Sequence, residues 1–280
     1  MTITPDSLKT AELHAYLLGA ISPRPICFAS TIDLEGNVNL SPFSFFNIFG
    51  SKPTRIIFSP ARRVRDNTIK HTLENCKATK EVVINVVNYN MVQQMSLASC
   101  EYPKGVNEFA KAGFTEVASE MIKAPRVKES PVQIECKVVE IIETGQEGGA
   151  GNLIICEMLC MHINENVLNE NHQIDPHKID LVARMGGDYY CRASGDAVFV
   201  VPKPNMNLGI GIDNLPEKVK NSNVFSGNDL GMLANFSTIP EKNLTLDIGK
   251  NSTENWEETA KAFLQKNEVE MAWQIILLNL

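Results

Sequence analysis

The residues with the clearest chemical potential lie between Ser22 and Asn47. Ser30, Thr31, Ser41 and Ser44 cluster small hydroxyls in one short run, beside Phe43, Phe45 and Phe46. Hydroxyls of this size hydrogen-bond phosphate and polyol oxygens, and aromatic rings stack on flat heterocycles. Their combination predicts a site for a phosphorylated aromatic cofactor. Asp33, Gly36 and Asn37 separate two apolar stretches as a hairpin turn does, which puts the hydroxyls near strand ends.

The 280 residues, 44% hydrophobic and 21% charged, suffice for one large domain or one domain with an appendix. A net charge of -7 and a pI of about 5.4 argue against a nucleic-acid partner, whose phosphates need a basic excess. Anionic membrane surfaces are disfavoured for the same reason. No run approaches the roughly 20 apolar residues of a membrane span. Met1–Asp6 also lacks the basic and apolar regions of a signal peptide. The seven cysteines are scattered, and Cys156 and Cys160 miss the Cys-x-x-Cys spacing of redox and zinc sites. Reduced, mostly buried thiols in a cytoplasmic protein are expected.

Several elements must position the hydroxyl run. Leu8, Ala11, Ala15 and Leu18 share a helical face, stopped by Gly19. Ile56–Ser59 reads as a short buried strand, and residues 66–76 as a helix with Ile69, Leu73 and Cys76 on one side. Val82–Val87 is the β-branched run of a fully buried strand. Residues 91–97 and 106–112 predict short helices, the second closed by Gly113. Along residues 131–142 the alternation of Val132, Ile134, Cys136 and Val138 changes phase at Val139, which predicts a bulge or bend of the kind a barrel requires. Residues 153–163 are its expected hairpin partner. Beyond Pro204 the period becomes helical. Pro216 opens a helix, Ser226 and Asp229 form a capping box, and amphipathic helices follow Asn251–Ser252 and reach the end of the sequence. The expected division is 1–204 and 205–280.

Other candidates carry less. The glycines at 145–151 lack the lysine and helix of a phosphate loop and join two strands. Gly209-Ile210-Gly211 has no βαβ frame, so no Rossmann domain is expected. His14, His71, His162, His172 and His177 show no metal spacing, and no nucleophile elbow is present. Neither a metal nor a catalytic side chain is therefore expected, and His162 reads as a structural histidine.

Taken together, the motifs resemble the flavin reductase-like family of FMN-binding split barrels, flavoredoxin-like proteins included. The carriers are Pro23-Arg24-Pro25-Ile26, Ser30-Thr31-x-Asp33-x-x-Gly36, the stretch Asn39-Leu40-Ser41-Pro42-Phe43-Ser44-Phe45-Phe46-Asn47, and Lys70-His71-Thr72-Leu73-Glu74-Asn75. The resemblance continues through the Gly105–Thr115 segment to Ala183-Arg184-Met185-Gly186-Gly187-x-x-Tyr190 and covers roughly residues 20–195. The helical tail resembles that of a longer subgroup.

The resemblance implies a mainly β protein with peripheral helices: an FMN-binding split β-barrel plus a C-terminal helical extension. It implies that Ser30, Thr31, Lys70 and Thr72 hold the FMN phosphate and ribityl chain, although His71 stands where the family usually has Asp. Ser41, Pro42, Ser44, Phe46 and Asn47 would lie along the ring, and Arg184, Gly186 and Gly187 would return to it. Each has a plainer alternative: Lys70 a solvated lysine, the phenylalanines core, the glycines an ordinary turn, Tyr189 or Tyr190 packing. Arg62, Arg63 and Arg65 read as surface charge at two of the three positions, or as a rim that attracts phosphate. The implied activity is a flavin reductase transferring hydride from NAD(P)H to flavin, as a homodimer, with a downstream monooxygenase or electron-transfer protein as partner. The alternative is an FMN electron carrier of flavoredoxin type reduced by a protein partner. An oxidase of a small substrate such as a pyridoxine phosphate fits the motifs less well.

Overall fold

Val82, Val83 and Ile84 lie fully buried where a β-branched run should be, at the centre of a sheet covered on both faces. A computed structural model describes residues 1–203, 208–244 and 255–280, in two units, Met1–Phe199 and Val200–Leu280. The boundary expected at 204/205 and the helix start expected at Asn251–Ser252 lie outside the described residues.

In the first unit, helix α1 (Thr10–Ala20) precedes β1 (Cys27–Ile32), β2 (Val38–Phe43), β3 (Phe46–Ser51) and β4 (Thr54–Phe58). Then come α2 (His71–Thr79), β5 (Glu81–Val86), α3 (Val92–Leu97), α4 (Glu108–Ala112), and the short β6 (Glu116–Val117) and β7 (Arg126–Val127). The long strands β8 (Val132–Glu143) and β9 (Asn152–Ile163) follow, and β10 (Val182–Arg184) and β11 (Tyr190–Arg192) form a small ribbon. The main sheet has seven strands in the order β2-β1-β5-β8-β9-β4-β3, with every pairing antiparallel.

That order forces closure. The edge strands β2 and β3 are consecutive in the chain, joined by Ser44 and Phe45 alone. A flat sheet would hold its edges six strand spacings apart, about 29 Å, whereas three Cα steps reach about 11 Å. The sheet must curl until its edges meet at Ser44–Phe45. The fold is the split barrel, with the split at this seam. Curling is helped by the register shifts of β8 between Glu135 and Cys136 and between Val138 and Glu140, the second falling on the phase change at Val139.

Two cores result. Cys27, Ala29, Ile84, Ile134 and Ile154 fill the barrel, while Phe28, Leu40, Met95 and Phe109 pack between the sheet and α3 and α4. Strand β1 is therefore buried on both faces. Glu108 of α4 caps the edge strand β2 by accepting from Leu40 N at 2.9 Å. Burial raises the Glu108 carboxyl above its usual range, partly offset by that hydrogen bond.

Helix α2 begins at His71, not at residue 66. Asp66 accepts from Thr68 N at 3.0 Å and from Thr68 Oγ1 at 2.6 Å, and Asn67 takes a positive φ of 57°, so this stretch forms a turn. The hairpin between β1 and β2 is as expected, with Asp33 Oδ1 accepting from Glu35 N and Asn37 N and Gly36 at φ 91°.

In the second unit, α5 (Glu217–Lys220) follows Pro216, and α6 (Gly227–Ala234) starts on the Ser226–Asp229 capping box. With α7 (Trp256–Gln265) and α8 (Val269–Asn279) it buries Leu233, Leu264, Trp273 and Ile276, and Trp273 Nε1 donates to Leu233 O at 3.2 Å. No helix among the described residues is long and apolar enough to cross a membrane.

Asn85 ties the sheet to the strands that cover it. Its Nδ2 donates to Phe28 O at 2.9 Å and its Oδ1 accepts from Val127 N at 2.9 Å, all inside the protein. Asn85→Leu leaves both backbone groups unpaired at similar volume. The expected result is a loss of about 2 kcal/mol or more in unfolding free energy, read by urea denaturation.

Candidate functional site

The seam opens into a cleft of about 360 Å³, inside the roughly 300–1,000 Å³ range of small-molecule sites. Pro42, Phe43, Ser44 and Phe45 of the seam line it, over an apolar floor that includes Ile26 and Met95. Phe45 is exposed, with His14 of α1 edge-on to its ring at 6.0 Å. An apolar wall with a few charged and hydroxyl groups can hold a flat ring and fix its orientation.

Lys70 enters the cleft from the start of α2, where it is the N-cap residue. The turn at Asp66–Thr68 sets this position: it delays the helix until His71, so Lys70 stands at the end with unpaired N–H groups rather than on a helix face. Arg63 supports the turn by donating to Thr68 Oγ1 at 2.7 Å and to Ile69 O at 3.0 Å. Arg63 and Arg65 both bind Glu101, at 2.8 and 2.7 Å, and Lys70 Nζ lies 4.0 Å from the same carboxylate. Hydrogen bonds from Arg65 and then Arg63 hold Glu101 below the usual carboxylate range. Burial, and then the positive charge of Arg63, lowers the Lys70 ammonium from its ordinary value. Asp66 also pairs with Arg65, at 3.2 Å, so three cations face two carboxylates, and the one positive charge in excess favours an added anion. Arg62 is occupied elsewhere, with its guanidinium on Asn67.

A second pair of cations comes from Arg24 and Arg184, whose backbones bridge at 2.9 Å in both directions. Buried Arg24 donates to Leu18 O at 2.6 Å, Ile21 O at 2.9 Å and Met185 O at 2.9 Å, and reaches Ser44 Oγ at 3.5 Å. Burial, and then Arg184, lowers its pKa, but a guanidinium stays charged. Arg184 donates to Tyr190 Oη at 2.6 Å and to Gly187 O at 2.7 Å, lying over the Tyr190 ring at 4.7 Å. Gly186 is needed for close approach: a Cβ there would stand 3.1 Å from Gly19 Cα of α1. Gly187 takes φ 58° in the turn between β10 and β11.

Of the residues expected at a cofactor, the cleft gathers Pro42, Ser44, Lys70 and Arg184. Gly186 and Gly187 shape the turn behind Arg184. Ser30, Thr31 and Thr72 do not line the cleft: both faces of β1 are covered, and Thr72 of α2 is buried against β2. The Ser30 hydroxyl donates to Pro125 O, Thr31 accepts from Asn75 Nδ2 at 3.1 Å, and Thr72 accepts from Asn39 Nδ2 at 3.0 Å. The last two fasten α2 to the sheet and so set where Lys70 stands. Phe46 packs against the barrel core, half-buried Ser41 lies in β2, and exposed Asn47 turns its Oδ1 to Ile48 N at 2.8 Å. None of these three lines the cleft.

The sequence reading did not place Arg24, His14, Ser59, Ser96 or Ser99 at the site, yet all five line it. Arg24 had a signal, lying between two prolines just before the hydroxyl run. Ser59 directly follows β4, and His14, Ser96 and Ser99 become visible only once α1 and α3 are folded onto the seam.

Comparison with known proteins adds a family context. The profile of the flavin reductase like domain matches residues 19–180. A protein of Aquifex aeolicus is 38% identical over 184 residues, covering 66% of this chain and 91% of the relative. The crystal structure of nitrilotriacetate monooxygenase component B from Bacillus cereus superposes with a TM-score of 0.66 at 26% identity, covering 71% of this chain and 98% of that one. A protein with a split barrel domain from Shewanella frigidimarina gives 0.61 at 27% identity, over 72% and 99% of the two chains.

Half-buried Lys70 and buried Arg24 predict opposite effects on the protein without added ligand. Because folding lowers the Lys70 pKa, its charge opposes folding at every pH below the folded value, and the penalty lifts as pH rises through that value towards 10.5. Lys70→Met should therefore keep or raise the urea midpoint at pH 7. Arg24→Met strands three carbonyls and should cost about 3 kcal/mol or more in the same titration.

Proposed function

The chain belongs to the flavin reductase-like domain family, and from that premise we propose that it binds FMN in the seam cleft and passes hydride to it from NAD(P)H. The observation that carries this reading is Lys70 at the N-terminus of α2, inside a cleft that also offers hydroxyls and aromatic rings. A phosphate monoester needs a compact cation and unpaired N–H groups. Lys70 and the start of α2 supply them, with the Ser96 hydroxyl in the same cleft, while the Ser99 hydroxyl already donates to Ser96 O at 2.6 Å.

When bound, FMN supplies the hydride-accepting ring, a chemistry that no side chain of the cleft offers. The protein's part is to bind, orient and polarise. Phe45, Pro42 and Tyr190 offer surfaces for the ring. Arg24 and Arg184 bring positive charge to the cleft, which favours negative charge developing there. The open outer side leaves room for a nicotinamide, and the wholly antiparallel main sheet offers no βαβ nucleotide site of its own. By analogy with the monooxygenase component from Bacillus cereus, a partner monooxygenase or electron-transfer protein is the proposed consumer of reduced flavin.

The same reading includes a cytoplasmic homodimer. Helix α1 is apolar along most of its length yet buries no residue, and Ile48 and Phe49 of β3 are mostly exposed. A second copy would cover these surfaces. Light scattering is expected to give twice the 31.0 kDa chain mass; a monomer across the micromolar range refutes this part.

Two measurements test the site. The purified protein mixed with FMN should oxidise NADPH or NADH well above the rate of free FMN. Lys70→Met should weaken FMN binding at least tenfold, about 1.4 kcal/mol, while leaving riboflavin binding nearly unchanged. A protein that retains flavin through gel filtration but reacts slowly with both nicotinamides acts instead as an electron carrier. Absence of flavin binding by the unaltered chain defeats both readings.

A further inference from the structure

Outside the cleft, strands β8 and β9 bring three metal-ligating side chain types together. Glu135 of β8 is fully buried, Cys160 of β9 stands opposite it in the ladder, and His162 shares the face of Cys160 two residues on. The register shift beside Glu135 leaves Leu159 as the extra residue, and bulges re-aim the side chains next to them. His162 Nε2 lies 2.7 Å from Glu135 Oε1 and 3.5 Å from Cys160 Sγ, and the three ligand atoms all fall within 4.8 Å of one another.

One imidazole nitrogen faces both a carboxylate oxygen and a sulfur, and the thiol is itself within hydrogen-bond reach of the same carboxylate, so the three donor atoms converge on one point. We propose that Glu135, Cys160 and His162 bind a zinc-class divalent cation, with water completing the coordination. Tetrahedral zinc, with Zn–S about 2.3 Å and Zn–N about 2.0–2.1 Å, sets sulfur and nitrogen about 3.5 Å apart. The observed Sγ···Nε2 distance is 3.5 Å. Only the carboxylate must shift, since the same geometry puts nitrogen and oxygen about 3.3 Å apart where the hydrogen bond holds them at 2.7 Å. A sulfur, nitrogen and oxygen donor set suits zinc over magnesium or calcium.

The surroundings support such a site. Burial pushes the Glu135 carboxyl up, but the N–H groups of Glu120 and Met121, at 2.9 and 2.7 Å, and the His162 ring outweigh it and hold the group below its usual range. Those two backbone donors fix the orientation of the carboxylate. Glu120 Oε1 lies 3.9 Å from His162 Nδ1, on the opposite side of the ring, where it can orient the imidazole as outer carboxylates do at zinc sites. Arg126 Nε, 3.8 Å from Glu135, is the one cation facing the group among the described residues. Burial, and then Glu135 and Glu120, raises the Cys160 thiol, with Arg126 opposing. A thiol binds zinc as the thiolate and gives up its proton on binding, so affinity increases with pH. The sequence hides the site because its third ligand comes from another strand.

The test uses the full-length, flavin-loaded protein after treatment with a chelator. Titration with zinc sulfate against a chromophoric chelator should show one site per chain, releasing protons and tightening between pH 6 and 8. Cobalt(II) in its place should give a thiolate-to-metal absorption band in the near ultraviolet. Cys160→Ser and His162→Gln should each abolish the band and the site, and Glu120→Gln should weaken zinc about tenfold. Equal zinc binding by the unaltered protein and both ligand variants overturns the proposal, as does the absence of binding. Should a variant fail to fold, judged by circular dichroism, the cobalt spectrum of the unaltered protein decides, and a missing thiolate band refutes the site.

Discussion

The cleft depends on the buried guanidinium of Arg24. Its hydrogen bonds join the carbonyl end of α1, the chain entering β1, the segment after β10 and the seam at Ser44. These are parts of the chain that sequence separates widely and that the cleft needs as neighbours. No carboxylate pairs with Arg24 among the described residues, so carbonyl dipoles alone balance the charge. Such an arrangement is stable only while every carbonyl is in place, since a buried cation tolerates few missing partners. A lysine could not replace it, because one ammonium cannot point at three carbonyls spread across a planar fork. The requirement that β2 and β3 meet after two linking residues creates the seam, and Arg24 fixes its shape.

The seam also explains how an acidic protein maintains a cationic cleft. The net charge of -7 is spread over the chain, while Lys70, Arg63 and Arg65 converge on Glu101 at one place. Burial, and then the like charge of Arg63, lower the Lys70 pKa and so oppose folding with it charged. Glu101 relieves that repulsion without cancelling it. The remaining positive charge favours an anion beside Lys70. Site and stability are opposed here, as is common where a fold holds a reactive pocket.

Much of the fold was legible because local signals and tertiary structure agree. Gly36 and Asp33 made the hairpin, the phase change at Val139 marked a bulge, and Ser226 with Asp229 capped α6. Helix α2 was read too early because Ile69, Leu73 and Cys76 keep helical spacing even though Asp66 and Thr68 close a turn first. Hydrophobic period reports which side is buried, while the start of a helix is decided by side chain to backbone hydrogen bonds that compete with it. The cleft was half legible. Pro42, Ser44, Lys70 and Arg184 lie in recognisable motifs, but Ser96 and Ser99 depend on where α3 packs, which no local pattern encodes.

Ser30, Thr31 and Thr72 show why residue type alone misleads. A hydroxyl in a motif looks like a ligand for phosphate, but in a strand covered on both faces every polar atom must find a protein partner. Thr31 and Thr72 find theirs on Asn75 and Asn39, and these bonds hold α2 against the sheet. The motif's chemistry is thereby passed on: the threonines fix the helix, and the helix presents Lys70. A residue can be essential to a cleft without lining it, and in a barrel this small the line between scaffold and site runs through single side chains. Reading function from such a chain therefore requires asking first which polar groups the fold has already consumed.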